Sequence, residues 1–318
     1  LSKNLTIVLE DKEVMHHLCG VNDANLKIIE NILDEQVFTR GNEVFITSEN
    51  QDKRNLFKIL VTRLKNHTSL GHIPGPDLIQ AINESIQKGS NEKEELLQEF
   101  HIFLPGSNTK VYPRSYNQAT YIQGMNTKDI VFGIGPAGTG KTFLAVAYAL
   151  NQILTREKKK LILTRPVVEA GESLGFLPGD LAQKISPYLR PLYDAMDALI
   201  SPEVIRRLEE SRIIEIAPLA YMRGRSLKEC CIILDEAQNS TREQMKMFLT
   251  RMGEDSQIIV TGDATQIDLP RKDHSGLLHA MHILHSINDI HFTYLEGTDV
   301  VRNPLIKKII HAYEKEEQ

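Results

Sequence analysis

Apolar residues recur along this chain with two different periods, and the change between them divides it. Leu5-Thr6-Ile7-Val8-Leu9 reads as a strand, and His16-His17-Leu18 predicts the start of a short helix that stops at Gly20. Between Ala24 and Leu33 the apolar positions Leu26, Ile29, Ile32 and Leu33 fall at helical spacing. Val37 to Thr39 and Val44 to Thr47 flank Arg40-Gly41-Asn42-Glu43 and predict a hairpin. Leu56, Ile59, Leu60 and Leu64 share one face of a further helix. Residues 4–87 thus have the order β-α-α-β-β-α of a small α+β domain. Apolar density then falls over 68–116, where Gly71, Pro74, Gly75, Pro76, Gly89, Pro105, Gly106 and Pro113 leave one helical piece from Asp77 to Gln87. The pattern predicts a first domain over 1–87, and a linker over 88–116 that ends in a polar arm around Gly106 to Pro113.

From residue 117 short apolar runs alternate with helical stretches. The runs are Asp129–Ile134, Leu161–Thr164, Ile213–Ile216, Cys231–Leu234, Ile258–Thr261 and Phe292–Leu295. Such alternation predicts an α/β domain over 117–318, with a parallel sheet covered by helices on both faces. Ligands of such sheets bind at the C-terminal ends of the strands, so the residues just after each run are the candidates for chemistry.

Composition changes this picture little. Of the 318 residues, 41% are hydrophobic and 25% charged, as in soluble globular chains. The formal net charge of −5 gives no general attraction to nucleic acid or to an anionic membrane. Residues 1–90 hold 10 Lys and Arg against 12 Asp and Glu, so nucleic-acid binding there needs a local patch. The three cysteines, Cys19, Cys230 and Cys231, form no disulfide framework or metal-ligand spacing, which suits a reducing cytoplasm. No apolar run has the length of a membrane span, so no membrane partner is expected.

Candidate chemistry centres on Gly135-Pro136-Ala137-Gly138-Thr139-Gly140-Lys141-Thr142, which fits the P-loop pattern for nucleotide phosphates. A strand precedes it and good helix formers follow it. The glycines let successive backbone N–H groups turn toward phosphates, at the positive end of a new helix. Lys141 is placed to reach the β- and γ-phosphates and Thr142 to hold Mg²⁺. A plain strand-to-helix turn explains one glycine, not three followed by Lys-Thr.

Ile232-Ile233-Leu234-Asp235-Glu236-Ala237-Gln238 has the form of a Walker B segment, a buried strand ending in two carboxylates. Asp235 is placed to orient Mg²⁺, and Glu236 to accept a proton from the attacking water. Ser240 and Glu243 read as a capping box for the helix that follows. In Thr261-Gly262-Asp263-Ala264-Thr265-Gln266, Gly262 is read as a sharp exit from the strand, and Gln266 as a ligand of the γ-phosphate or of the attacking water.

The first domain's element order resembles a KH-type RNA-binding domain, whose G-x-x-G loop between helices clamps the nucleic-acid backbone. The corresponding residues are Gly20-Val21-Asn22-Asp23, with Asp23 in place of the second glycine. Asp-Glu-Ala-Gln at 235–238 and Gly-Asp-x-x-Gln at 262–266 resemble motifs II and III of superfamily 1 helicases. Gln118, seventeen residues before Gly135, stands like the glutamine that reads the adenine edge in those proteins. Arg165, Glu169 and Glu172 follow the second strand, where those helicases contact single strands; the two acids disfavour plain phosphate binding there, and an inter-subunit contact is the alternative.

At finer detail the chain resembles the PhoH-like proteins. Thr164-Arg165-Pro166-Val167-Val168-Glu169-Ala170-Gly171-Glu172, Leu174–Leu181, Pro187–Asp194, Met222-Arg223-Gly224-Arg225-Ser226-Leu227 and Asp299-Val300-Val301-Arg302-Asn303-Pro304 carry the resemblance, over roughly residues 115–313. It implies an ATP-binding domain, Mg²⁺-dependent ATP hydrolysis, links to RNA metabolism, and ring-shaped homo-oligomers, hexamers included. Arg302 stands where helicase motif VI supplies an arginine finger; Arg223 and Arg225 are the alternatives, acting on a neighbouring subunit or serving as structural cations. A second reading of the whole chain is an ATP-dependent adaptor that assembles partners and turns over slowly.

Overall fold

The computed structural model describes residues 4–9, 11–69, 72–88, 92–107, 109–166 and 181–300. The chain divides into two units, Leu1–His101 with Tyr112–Ala119, and Ile102–Val111 with Thr120–Gln318.

In the first unit, β1 (Asn4–Val8), β2 (Val37–Arg40) and β3 (Glu43–Thr47) form an antiparallel sheet in the order β1-β3-β2. Arg40 pairs with Glu43 around a two-residue turn, and Gly41 takes the left-handed φ of +64° that glycine supplies in such hairpins. The helices are α1 (Lys12–Cys19), α2 (Ala24–Leu33) and α3 (Gln51–Ser69). The sequence of elements is therefore β-α-α-β-β-α, the KH-like order read from the hydrophobic pattern. Helix α1 begins earlier than the pattern suggests. Asp11 is its N-cap and accepts from Glu13 N at 2.8 Å, so His16 and His17 lie in the last turn, not the first.

Two further helices, α4 (Pro76–Lys88) and α5 (Glu92–Glu99), follow. Leu78, Ile79 and Ile82 from α4 and Leu97 from α5 are buried with Leu18, Ile29, Val44, Leu60 and Leu64 in one core. The stretch read from sequence as sparse thus adds helices to this unit. Its apolar residues are few but lie on one face of each helix, and flanking Gly and Pro conceal the periodicity.

The hairpin β4 (Ile102–Leu104) and β5 (Thr109–Val111) belongs to the second unit. It packs on α7 (Lys141–Leu154), where Asn151 Nδ2 donates to Phe103 O at 2.7 Å. This hairpin occupies the place of the polar arm.

The second unit is built on six strands: β6 (Ile130–Ile134), β7 (Lys160–Arg165), β8 (Ile214–Pro218), β9 (Cys230–Leu234), β10 (Gln257–Gly262) and β11 (Ile290–Tyr294). They lie in the order β11-β6-β10-β9-β7-β8, and every pairing is parallel. Helix α7 packs on β7, β9 and β10, α8 (Leu181–Asp197) packs on β7 beside α7, and α9 (Pro202–Glu210) packs on β8. The opposite face is covered by α10 (Arg242–Leu249) and α11 (Gly276–Leu284), whose Met245, Phe248, Leu277 and Ala280 join Phe132, Ile232, Leu234 and Val260 in a core. The central strands are buried on both faces, which is why they read as unbroken apolar runs. Cys230 and Cys231 are both buried in β9, and burial pushes the Cys231 thiol up to about 12. Among the described residues no helix is long and apolar enough to cross a membrane.

Close packing explains one glycine inside a strand. A Cβ on Gly133 of β6 would lie 2.6 Å from the ring of Tyr121. Tyr121, in α6 (Tyr116–Thr127), is fully buried there, and burial first and the Asp235 charge second push its hydroxyl well above the usual range.

Candidate functional site

The parallel order brings three strand ends together around the P-loop. Strand β6 runs into Gly135, whose N–H donates to Gly262 O at the end of β10 (3.0 Å). A Cβ on Gly135 would collide with Leu295 O. Gly138 and Gly140 are left-handed, at φ +87° and +83°, a conformation that costs other residues about 1–2 kcal/mol. Gly140 is the N-cap of α7 and carries no side-chain cap, so no cap side chain competes for the first N–H groups of that helix. Thr139 Oγ1 and Lys141 Nζ both donate to Pro136 O, at 2.9 and 3.1 Å. Lys141 is buried, with its charge inside the curve of the loop.

The next helical residue, Thr142, donates from Oγ1 to Asp235 Oδ1 at 2.7 Å. The same carboxylate oxygen accepts from Thr261 Oγ1 at 2.6 Å, and Asp235 N donates to Thr164 O at 2.9 Å. Asp235 is only 3% exposed. The P-loop and the Walker B segment, distant in sequence, are therefore joined by one hydroxyl–carboxylate contact. Among the described residues no group of three or more His, Cys, Asp or Glu stands ready to hold a metal. A hydroxyl beside one carboxylate is instead the donor set of an ion that takes its remaining ligands from phosphate and water.

Glu236 leaves the end of β9 in a left-handed conformation, φ +52°. Its Oε1 pairs with Arg165 Nη2 at 3.1 Å, and its Oε2 accepts from Gln238 Nε2 at 2.5 Å. Gln238 is buried, and its own Oε1 accepts from Asp263 N at 3.0 Å. Asp263 in turn accepts from the N–H and hydroxyl of Thr265 through Oδ1, while its buried Oδ2 has no hydrogen-bond partner among the described residues. Gln266 follows as an exposed residue whose N–H donates to Asp263 O at 3.3 Å.

Several sequence expectations change here. Gly262 has no left-handed φ; a Cβ there would lie 2.6 Å from Leu277 Cδ2 and 3.0 Å from Gln238 Oε1, so close packing, not a sharp turn, requires it. The capping box sits one residue later than read: Thr241 is the N-cap of α10 and exchanges hydrogen bonds with Gln244, while Ser240 donates to Ala237 O. Arg225 forms a two-pronged ion pair with Glu215, at 2.6 and 2.9 Å, which holds Glu215 below the usual carboxylate range. That is the arrangement of a structural cation. Arg223 is exposed. Gln118 belongs to the first unit; it is buried, and its Oε1 accepts from Arg114 N at 2.8 Å. Arg302, Glu169 and Glu172 lie outside the described residues. Gln238, Thr261 and the partnership of Arg165 with Glu236 escaped the sequence reading. The spelling Asp-Glu-Ala-Gln held the clue to Gln238, but nothing local shows which groups its amide joins.

A family model described as PhoH-like protein matches residues 110–314. The chain is 46% identical over 301 residues to the PhoH-like protein of Mycobacterium leprae (strain TN), covering 95% of this chain and 86% of that one. It is 46% identical over 299 residues to the PhoH-like protein of Bacillus subtilis (strain 168), covering 94% and 93%. Against Protein PhoH of Escherichia coli (strain K12) the identity is 42% over 205 residues, 64% of this chain and 58% of that protein.

Proposed function

The chain belongs to the PhoH-like protein family, a membership that implies a P-loop ATPase, and from that premise we propose that it hydrolyses ATP with Mg²⁺, in association with RNA and as a ring-forming homo-oligomer. One observation carries the reading, the Thr142–Asp235 contact beside Glu236. A hydroxyl and two carboxylates gathered at one end of the sheet support it.

In this reading the residues from Gly135 to Gly140 wrap the phosphates with backbone N–H groups, and the start of α7 adds its positive end. Lys141 neutralises the β- and γ-phosphates. Thr142 and Asp235 hold Mg²⁺, which when bound offsets the charge that develops on the phosphate oxygens. Glu236 accepts the proton of the attacking water, and Gln266 orients that water or the γ-phosphate. Arg302 supplies the arginine finger. The first unit holds RNA through the Gly20–Asp23 turn, and the protein works in the cytoplasm. The decisive measurement is ATP turnover with and without Mg²⁺, against a panel of single-stranded and structured RNAs. Turnover that needs Mg²⁺ and rises with RNA supports the reading; a folded protein that binds ATP without turning it over overturns it.

One observation favours the adaptor reading. Asp23 puts a carboxylate at the turn where a phosphate clamp needs none. An adaptor retains ATP for minutes and forms its assemblies with a non-hydrolysable analogue as well as with ATP, which a size-distribution measurement separates from steady turnover.

A further inference from the structure

Glu236 is held from both sides by donors that come from different strand ends. Arg165 closes β7 and lies on Oε1; Gln238 lies on Oε2 and is itself fixed by Asp263 N at the end of β10. The Gln238 backbone is fixed as well, since Ser275 Oγ donates to its carbonyl at 2.8 Å. Gln238 is 1% exposed, whereas the Arg165 side chain is 19% exposed. Solvent therefore reaches the arginine half of this grip and not the glutamine half.

A carboxylate acts as a base through its electron density, and a guanidinium on one oxygen withdraws that density. An arginine fork fits phosphate as well as it fits carboxylate. In the sheet order, β9 and β10 separate β7 from the P-loop strand β6. Arg165 thus reaches Glu236 from the side away from the nucleotide loop, at the strand edge where such sheets take ligands. A phosphate that meets Arg165 from that side belongs to a molecule other than the nucleotide.

We infer that Arg165 is a positioning residue that restrains Glu236, and that a backbone phosphate of single-stranded nucleic acid draws the guanidinium away and frees the carboxylate. The inference rests on the reading of Glu236 as the base for ATP hydrolysis. It makes turnover depend on the polyanion through one side chain.

The test uses the full chain and steady-state ATP turnover, with and without polyuridylate, for wild type, Arg165→Ala, Arg165→Lys, Glu236→Gln and the double variant Arg165→Ala/Glu236→Gln. Without polyuridylate, Arg165→Ala should raise kcat by about threefold to tenfold and leave KM within about twofold, since a partly exposed ion pair is modest in strength and acts here on the chemical step. Polyuridylate should stimulate wild type toward that rate and leave Arg165→Ala unchanged. Arg165→Lys keeps the charge without the fork and should fall between. In the Glu236→Gln background, Arg165→Ala should have no effect, which a merely structural role would not produce. The inference is overturned if Arg165→Ala turns over no faster than wild type, if polyuridylate still stimulates it, or if its effect is the same in the Glu236→Gln background. Unchanged melting and unchanged binding of a fluorescent ATP analogue identify folded variants, and if Arg165→Ala fails them, Arg165→Lys alone must show the raised rate. Wild type that does not hydrolyse ATP, or Glu236→Gln that hydrolyses it normally, removes the ATPase reading first and this inference with it.

Discussion

Two turns in this chain enter a helix through the same backbone conformation and differ in what they offer an anion. The Gly20–Asp23 turn leads into α2, and the Gly135–Gly140 turn leads into α7. Both N-cap residues are left-handed, Asp23 at φ +57° and Gly140 at φ +83°, and neither makes a side-chain cap bond. The start of a helix favours negative charge. At α7 that field stays open and Lys141 and Thr142 follow it. At α2 the cap residue is itself a carboxylate, which meets any arriving phosphate with like charge. Backbone geometry alone therefore does not make a phosphate site; the one side chain at the cap decides whether the geometry is available.

Removing the lysine should break the comparison most severely. Lys141→Ala is expected to lower ATP turnover by about a hundredfold or more, because the phosphates lose their main cation in a largely buried place. Phosphate release checks it, and near-normal hydrolysis by a folded variant would detach the chemistry from this turn. Next comes Gly140→Ala, which forces a side chain into a left-handed cap and should cost about 1–2 kcal/mol of stability, read in urea unfolding. Its affinity for a fluorescent ATP analogue should fall as well.

The converse change should sharpen the comparison from the other side. Asp23→Gly removes both the carboxylate and a left-handed non-glycine, so RNA affinity should rise a few-fold at low salt, and stability should change by no more than about 1 kcal/mol. Anisotropy titrations at low and high salt measure it; unchanged affinity at low salt means that this turn does not meet RNA.

Acid should have the smallest effect, and one that both units share away from their turns. Burial works against the ionised form of Glu94, but His67 at 3.1 Å and the Arg63 guanidinium at 2.9 Å outweigh it and hold the carboxyl below the usual range. In the second unit Arg225 does the same for Glu215. A lowered carboxyl contributes stability that is fully present above the unfolded pKa, about 4.3, and is lost as pH falls through the lower folded value. Each pair should lose about 1 kcal/mol or less over that window. Urea midpoints at neutral and acid pH should fall less steeply in Glu94→Gln and in Glu215→Gln than in wild type.

What the sequence revealed and what it hid follow the range of the interactions. The P-loop, the strands and the first unit's element order are legible because each depends on neighbours within a few residues. Ala24 and Leu33 bound α2 as read, and β9 extends only one residue beyond the run read from Cys231. The start of α1 and the register of the capping box shifted because Asp11 and Thr241 offered caps that the apolar pattern did not weigh. Gly262 reads as a turn in the sequence because its real neighbours, Leu277 and Gln238, come from other elements. The Arg165–Glu236 pair was hidden for the same reason: it exists only because β7 lies beside β9, an adjacency set by the order of strands across the sheet.

The positions of the three cysteines have a use in measuring how the protein opens. Thiol reagents attack the thiolate, and a thiol pushed up to about 12 supplies almost none at neutral pH. Cys231, fully buried in β9, can therefore be alkylated only when the six-stranded sheet comes apart. Cys19, half-buried in the first unit beside the Gly20–Asp23 turn, is partly open to reagent in the folded protein. Mass-resolved alkylation of the native protein thus times the opening of the sheet at Cys231 against the faster labelling of Cys19 in the same sample, with no residue replaced.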